Sequence, residues 1–406
     1  MVEKRVKIED VTYRGSGVAR ADGKVVFVRG ADVGEEVVVD IQKSTSKFDV
    51  GRVVEVIEES PYRTCPHCAY FNVCEGCAFW HVTYERELEI KKSILQSELK
   101  KAGYFGKVDV EPSQNEIFYR NKLKLTYFDG ELGYISSLTH RRIPIKKCKL
   151  ADESIITALK KVTTYLNSHR FSHLKNITFR SFDGGVMATF LFDKKEEFVL
   201  DDVLDFPVFL AIGEVLESDK TKIFKAFNQR DMCYTLLGEK FPIDAKSFLQ
   251  VNKNVAEKLY EHVITNVNGE KVVNAYSGQG VLTKLLAKKA KSVVGIEIQR
   301  SSCEIAEKIK APNMKNINAR VEDVLSDYLD ADVVVLDPAR EGCEEKVLRE
   351  IIGSNIKKVI YISCNFATLT RDLKALSKNY KIENVKLFDM FPRTASIETC
   401  AILEKI

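Results

Sequence analysis

The sequence lacks several features, and each absence narrows what the chain can be. It has no apolar run long enough to span a bilayer. Its first residues, MVEKRVKIED, do not form a signal peptide, so the cytoplasm is the expected compartment. Neither sign of charge dominates: 62 Lys and Arg stand against 58 Asp and Glu, a formal net charge of +4. That balance permits a nucleic-acid partner without indicating one. No heptad seam is evident, and a monomer is expected. What the chain does have is length and apolar content. Its 406 residues, 45% hydrophobic, fit two or three domains at roughly 150 residues each.

Cysteine is unevenly placed. Of ten cysteines, Cys65, Cys68, Cys74 and Cys77 fall close together, while Cys148, Cys233, Cys303, Cys343, Cys364 and Cys400 are scattered. Without a signal peptide, such crowding points to a metal or cluster rather than to disulfides. By spacing alone, Cys65-x2-Cys68-x5-Cys74-x2-Cys77 is a complete zinc knuckle, and zinc and iron–sulfur are equal alternatives. The spacing is not the C-x3-C-x2-C of radical S-adenosylmethionine enzymes.

Residues 1–59 alternate apolar and polar residues between turns such as RGSG and GADVG, which predicts a small β-barrel of the OB type. Ser60 and Pro61 mark a boundary. Residues 60–240 form a mixed central segment, with a helix expected over 83–105 and Gly103 at its C-cap. From 241 to 406 strands and helices alternate. The expected strands are 271–277, 292–298, 317–323, 332–338 and 359–364, followed by 384–391 and 397–406. Most are apolar throughout, as strands covered on both faces must be. The fold class is therefore α/β, a doubly wound parallel sheet with a terminal antiparallel strand.

Ligands of such sheets bind outside the carboxyl ends of the strands. The first strand runs into Tyr276-Ser277-Gly278-Gln279-Gly280, whose glycines allow close backbone approach. The dinucleotide fingerprint needs a small residue three positions later, where this chain has Thr283. Glu297 ends the second strand and is placed to accept from ribose hydroxyls. A G-x-G followed by a ribose-binding acid fits S-adenosylmethionine, which has a ribose and no pyrophosphate. Asp337 and Arg340 share the same rim, and the strand VIYISC ends there in Cys364.

Cys364 is either small filler or a nucleophile. A methyl donor and an unreactive acceptor carbon such as C5 of uracil would use it. A thiolate adding to C6 makes C5 nucleophilic, and a base must then remove the C5 proton. The following helix is expected to favour the Cys364 thiolate, and Glu398 is the candidate base.

These motifs resemble the RNA uracil-C5 methyltransferase family. SCNFATLTRDL is similar to its S-C-N-P-x-T-x-x-R-D nucleophile motif, with Phe366 for Pro, and FPRTASIET to its F-P-x-T-x-H-x-E-T base motif, with Ser396 for His. DPAR, SFLQVN, NAYSGQG and YRNK also resemble family motifs. The resemblance implies a Rossmann-like methyltransferase domain over 241–406, catalytic Cys364 and Glu398, and donor contacts from Gln250, Tyr276, Gly278, Glu297 and Asp337. Arg320 falls at the family's adenine-contact position, and that role is not carried over to it. The front of the chain resembles the RNA-binding TRAM barrel. CAYFNVCEGC resembles the C-x5-C-G-G-C of a [4Fe–4S] site, which implies ligands Cys68, Cys74, Cys77 and a distant fourth, Cys148, with Cys65 the other candidate. The implied reaction is methyl transfer from S-adenosylmethionine to a uridine of structured RNA, with 23S rRNA favoured and the tRNA T-loop uridine the alternative. Rival readings are RNA cytosine-C5 methylation and a non-catalytic iron–sulfur RNA-binding protein.

Overall fold

The computed structural model describes residues 2–137 and 139–406. The N-terminal strands form one six-stranded sheet around a core of Val6, Ile8, Val26, Val28, Val37 and Val39. The edge strand Val2–Lys7 lies against Ser16–Ala21, the neighbour of the opposite edge strand Asp10–Val11, so the sheet wraps its core. This barrel is stitched to the central segment. Buried Asp32 takes Ser60 and Arg86, and buried Glu35 takes Arg63, each through side-chain hydrogen bonds.

The central segment holds a seven-stranded sheet running from Arg142–Pro144 at one edge to Lys222–Phe227 at the other. The helix Glu153–Ser168 covers it through Ile155, Leu159, Val162 and Leu166.

The third sheet carries the chemistry. Met314–Asn318, Ser292–Glu297, Lys271–Ala275, Val333–Leu336 and Lys358–Ser363 pair in that order, all parallel. Along Val333–Leu336 alternate residues enter opposite cores: Val333 and Val335 face one, Val334 and Leu336 the other. Helices therefore cover both faces, as the continuous apolar strands predict. The last strand, Glu398–Lys405, is antiparallel and is inserted between Lys358–Ser363 and Tyr380–Phe388. Expected strand 317–323 is corrected: the strand is Met314–Asn318, and Val321–Val324 is a helical turn.

Within the expected central segment, two elements join this third sheet. The helix Tyr84–Lys101 starts at Thr83, whose side chain accepts from the Arg86 N–H. It ends in a Schellman turn: Tyr104 N–H bonds the Leu99 carbonyl and Gly103 N–H the Lys100 carbonyl, with Gly103 at φ +85°. The chain then forms Val108–Glu111, which pairs in parallel with Tyr380–Phe388 at the sheet edge. Leu95, Leu99 and Val108 are buried in the same core as Val359 and Leu373. Among the described residues no helix is long and apolar enough to cross a membrane.

Candidate active site

The corner at Cys364 is built by its neighbours. The strand Lys358–Ser363 stops because Asn365 caps the helix Phe366–Leu376, its side chain accepting from the Ala367 N–H. The other end of that amide donates to the Arg340 carbonyl at 2.8 Å. Asn365 thus ties the nucleophile corner to the DPAR loop, and Thr368 donates to the same carbonyl. Across the sheet, Ser363 pairs with Thr399 in antiparallel register, which sets Cys364 abreast of Glu398.

Electrostatics at this pair bear on one expectation. The Cys364 thiol is pushed up to about 11, first by burial and then by Glu398, against the opposing pull of Arg340. Burial outweighs the backbone hydrogen bond at the helix start, which draws the thiol the other way. Glu398 is only 4% exposed. Burial, with Asp337 adding to it, draws its carboxyl well above the usual range. Burial also pushes Asp337 up to about 7, although the surface of this residue is not fully closed off. Burial shifts each of the three groups toward its protonated form.

The residues expected to hold the donor stand chiefly at the ends of the neighbouring parallel strands. Glu297 accepts from the Gly278 N–H at 2.9 Å and the Gln299 N–H at 2.7 Å, which fixes the glycine loop against the acid. Gly280 has φ +77°, and a Cβ there would sit 2.8 Å from that of Ala306. Thr283, which breaks the dinucleotide pattern, is buried and bonded to Asn274 at 2.8 Å. Tyr276 has φ +60°, and its hydroxyl is buried toward Cys343 rather than presented at the rim. Gln250 is held by its backbone: Asn121 donates through its side chain to the Gln250 carbonyl and through its N–H to that of Val251. That anchoring role of YRNK was not readable from sequence, because it joins residues far apart in the chain. Arg320 is exposed and paired with Glu322.

A cleft of about 780 Å³ opens over Cys364. One wall is the barrel, with Tyr13, Arg14 and Arg29; another is the cysteine segment, with Phe71 and Cys77; the third is Arg340, Cys364 and Ser396. Arg14 lies over the ring of Tyr13, which is 56% exposed.

Cys68, Cys74, Cys77 and Cys148 line one small pocket, with Tyr70, Trp80 and Leu150 around them. Cys65 is exposed and is not among its walls. Burial raises Cys68, Cys74 and Cys77, the last to about 12, and the neighbouring thiols add to each shift. As placed, among the described residues, no three His, Cys, Asp or Glu side chains form a group that could hold a single metal ion. The four thiols share a pocket whose other walls are mostly apolar.

Comparison with known proteins gives three family matches. The family described as tRNA (uracil-5-)-methyltransferase matches residues 310–406. The TRAM domain matches 2–54, and the ribosomal RNA adenine dimethylase family matches 241–348. An uncharacterized RNA methyltransferase of Bacillus cereus is 31% identical over 99% of this chain and 96% of its own. One from Halalkalibacterium halodurans is 32% identical over 98% and 96%. The solved tRNA (uracil-54, C5)-methyltransferase of Pyrococcus abyssi, in complex with S-adenosyl-L-homocysteine, superposes with a TM-score of 0.81. It is 24% identical and covers 98% of this chain and 100% of that one, which shows a shared fold.

Proposed function

The chain belongs to the RNA (uracil-5-)-methyltransferase family, and on that premise we propose that it methylates C5 of one uridine through a covalent adduct on Cys364, with Glu398 as the base. The observation that carries this reading is the register of the last strand, which sets a thiol at the cleft's inner wall beside a buried carboxyl.

The steps follow from the chemistry of the uracil ring. The Cys364 thiol gives up its proton to solvent through the cleft, and the sulfur adds to C6. The C5–C6 electron pair moves to C5 and O4 as an enolate. S-adenosylmethionine, when bound, supplies the methyl group as an electrophile and leaves as S-adenosylhomocysteine. Glu398, once it has lost its own proton to solvent, takes the C5 proton as a carboxylate. The C5–H pair re-forms the double bond, and the C6–S bond breaks with its electrons returning to sulfur. Gln250, Tyr276, Gly278, Glu297 and Asp337 are the residues proposed to hold the donor.

The cleft supports an extruded nucleotide. Arg14, Arg29 and Arg340 would meet phosphates, and Tyr13 and Phe71 offer faces for bases. The four pocket cysteines, with Cys148 rather than Cys65 as the fourth, would hold a [4Fe–4S] cluster that orders the segment 65–82. Between the two RNA classes, the solved neighbour acts on a tRNA uridine. That supports the T-loop alternative over the 23S rRNA expectation.

The test is to map 5-methyluridine in tRNA and rRNA from cells with and without this gene. Loss of one 5-methyluridine supports the reading and names the RNA. Loss of a 5-methylcytidine, or no loss, removes it.

A further inference from the structure

The loop Asp389 to Ile397 leaves the sheet after Phe388 and returns at Glu398, two residues that face each other in the antiparallel pair. The conformation of this loop therefore decides how Glu398 is delivered. At its centre is Arg393, with φ +66°. A bulky residue takes that left-handed conformation only where its surroundings impose it.

The constraint comes from far upstream. Ala78 and Phe79 donate their N–H groups to the Arg393 carbonyl at 2.8 and 3.2 Å. The Arg393 N–H donates to Glu87 at 2.7 Å. Its guanidinium donates to the carbonyls of Phe79 and Val82 at 3.2 and 2.8 Å, and pairs with Glu116. It also lies 5.4 Å from the ring centre of Trp80, a wall of the cysteine pocket. A second anchor is Lys91, 2% exposed, which donates to Glu87 and Asp389 at 2.7 Å each and to the Phe391 carbonyl at 3.2 Å. Buried charge networks of this kind add little net stability, but they admit few alternative geometries.

We infer that Arg393 is a positioning residue for the base: it clamps the loop that delivers Glu398 onto the backbone just after Cys77. The geometry of Glu398 is then set by the cysteine-bearing segment as well as by its own sheet. This rests on the reading of Glu398 as the base. It goes further by assigning a role to a residue that is buried and outside the cleft. Loosening the clamp leaves Cys364 and its corner in place. Addition and methyl transfer then continue, and proton removal lags.

The test uses full-length Arg393→Ala and Arg393→Lys beside Glu398→Gln. Each is given a transcript carrying the mapped uridine, and the same transcript with 5-fluorouridine at that position. Fluorine replaces the proton that the base removes, so trapping on the fluorinated RNA, with S-adenosylmethionine present, reports on addition and methyl transfer without proton removal. The expected result for Arg393→Ala is wild-type trapping on fluorinated RNA, and turnover on ordinary RNA lowered at least tenfold. Its KM for RNA stays within twofold, and adduct accumulates on ordinary RNA. Arg393→Lys, which keeps the charge and loses the fork, falls between. Wild-type turnover by Arg393→Ala overturns the inference. So does slow turnover without adduct on ordinary RNA while trapping persists. If Glu398→Gln accumulates adduct and Arg393→Ala does not, the base assignment stands and the clamp falls. If Glu398→Gln accumulates none, the base assignment itself falls. Should the alanine variant fail to fold, the lysine variant decides by the same readouts.

Discussion

Thr399 donates its hydroxyl hydrogen to the Ser363 carbonyl at 2.9 Å, a buried bond between two residues directly opposite in the sheet. The next step of the same register brings Cys364 and Glu398 together. Thr399→Val keeps the shape and removes the donor. It is expected to cost about 1–3 kcal/mol, read as a lowered Tm, and to slow turnover without changing the product.

The two reacting groups separate by phenotype. Cys364→Ala abolishes the protein–RNA adduct and all methylation. Glu398→Gln stops at the methylated adduct, seen as a slowly migrating band that is stable to denaturation. If Glu398→Gln turned over at the normal rate, another base would have to be found.

The raised thiol sets the pH dependence. Below about 11 the thiolate fraction of Cys364 in the free protein increases with pH, roughly tenfold per unit. Trapping on 5-fluorouridine RNA under subsaturating conditions is therefore expected to climb between pH 7 and 9 with a logarithmic slope of about one. Arg340 is the cation that favours the thiolate. Arg340→Ala moves the curve to higher pH and slows trapping throughout that range. A flat profile would show that RNA binding has already set the protonation state.

The cysteine pocket makes a prediction about composition. Anaerobically purified wild-type protein and Cys65→Ser should each carry about four irons and four sulfides. Cys77→Ser and Cys148→Ser should lose them. A colourless wild-type protein with one zinc would restore the local knuckle read from the spacing of Cys65.

The cleft predicts how RNA binding responds to its walls. Tyr13→Ala should weaken binding by about 1–3 kcal/mol, the usual worth of one stacked base. Arg14→Ala should reduce the slope of log K against log salt by about 0.7, one phosphate contact on a single strand. Filter binding at three salt concentrations checks both.

Much of the site is legible in sequence because strand periodicity marks where strands end, and Glu297, Asp337 and Cys364 all stand at such ends. The same reading fails where the partner matters more than the pattern. Nothing local in the helix 84–101 shows that its Lys91 meets Asp389 in the interior. Nor does Thr283 reveal that it bonds Asn274 rather than filling a vacant glycine position. The burial that opposes a Cys364 thiolate is hidden from sequence for a related reason. A helix start can be seen in sequence, but the loss of water around a group depends on what the rest of the chain folds over it.

The strand Val108–Glu111 has a further consequence. It covers the outer edge of Tyr380–Phe388, and its own open side is short and acidic, with Asp109 exposed. Exposed edges with free peptide groups recruit other chains, and short charged strands discourage this. A fragment starting at residue 241 would retain Cys364, Glu398 and the donor rim, yet bare a nine-residue strand edge. Such a fragment is expected to self-associate, so solubility as well as catalysis ties the last two-fifths of this protein to a segment made long before it.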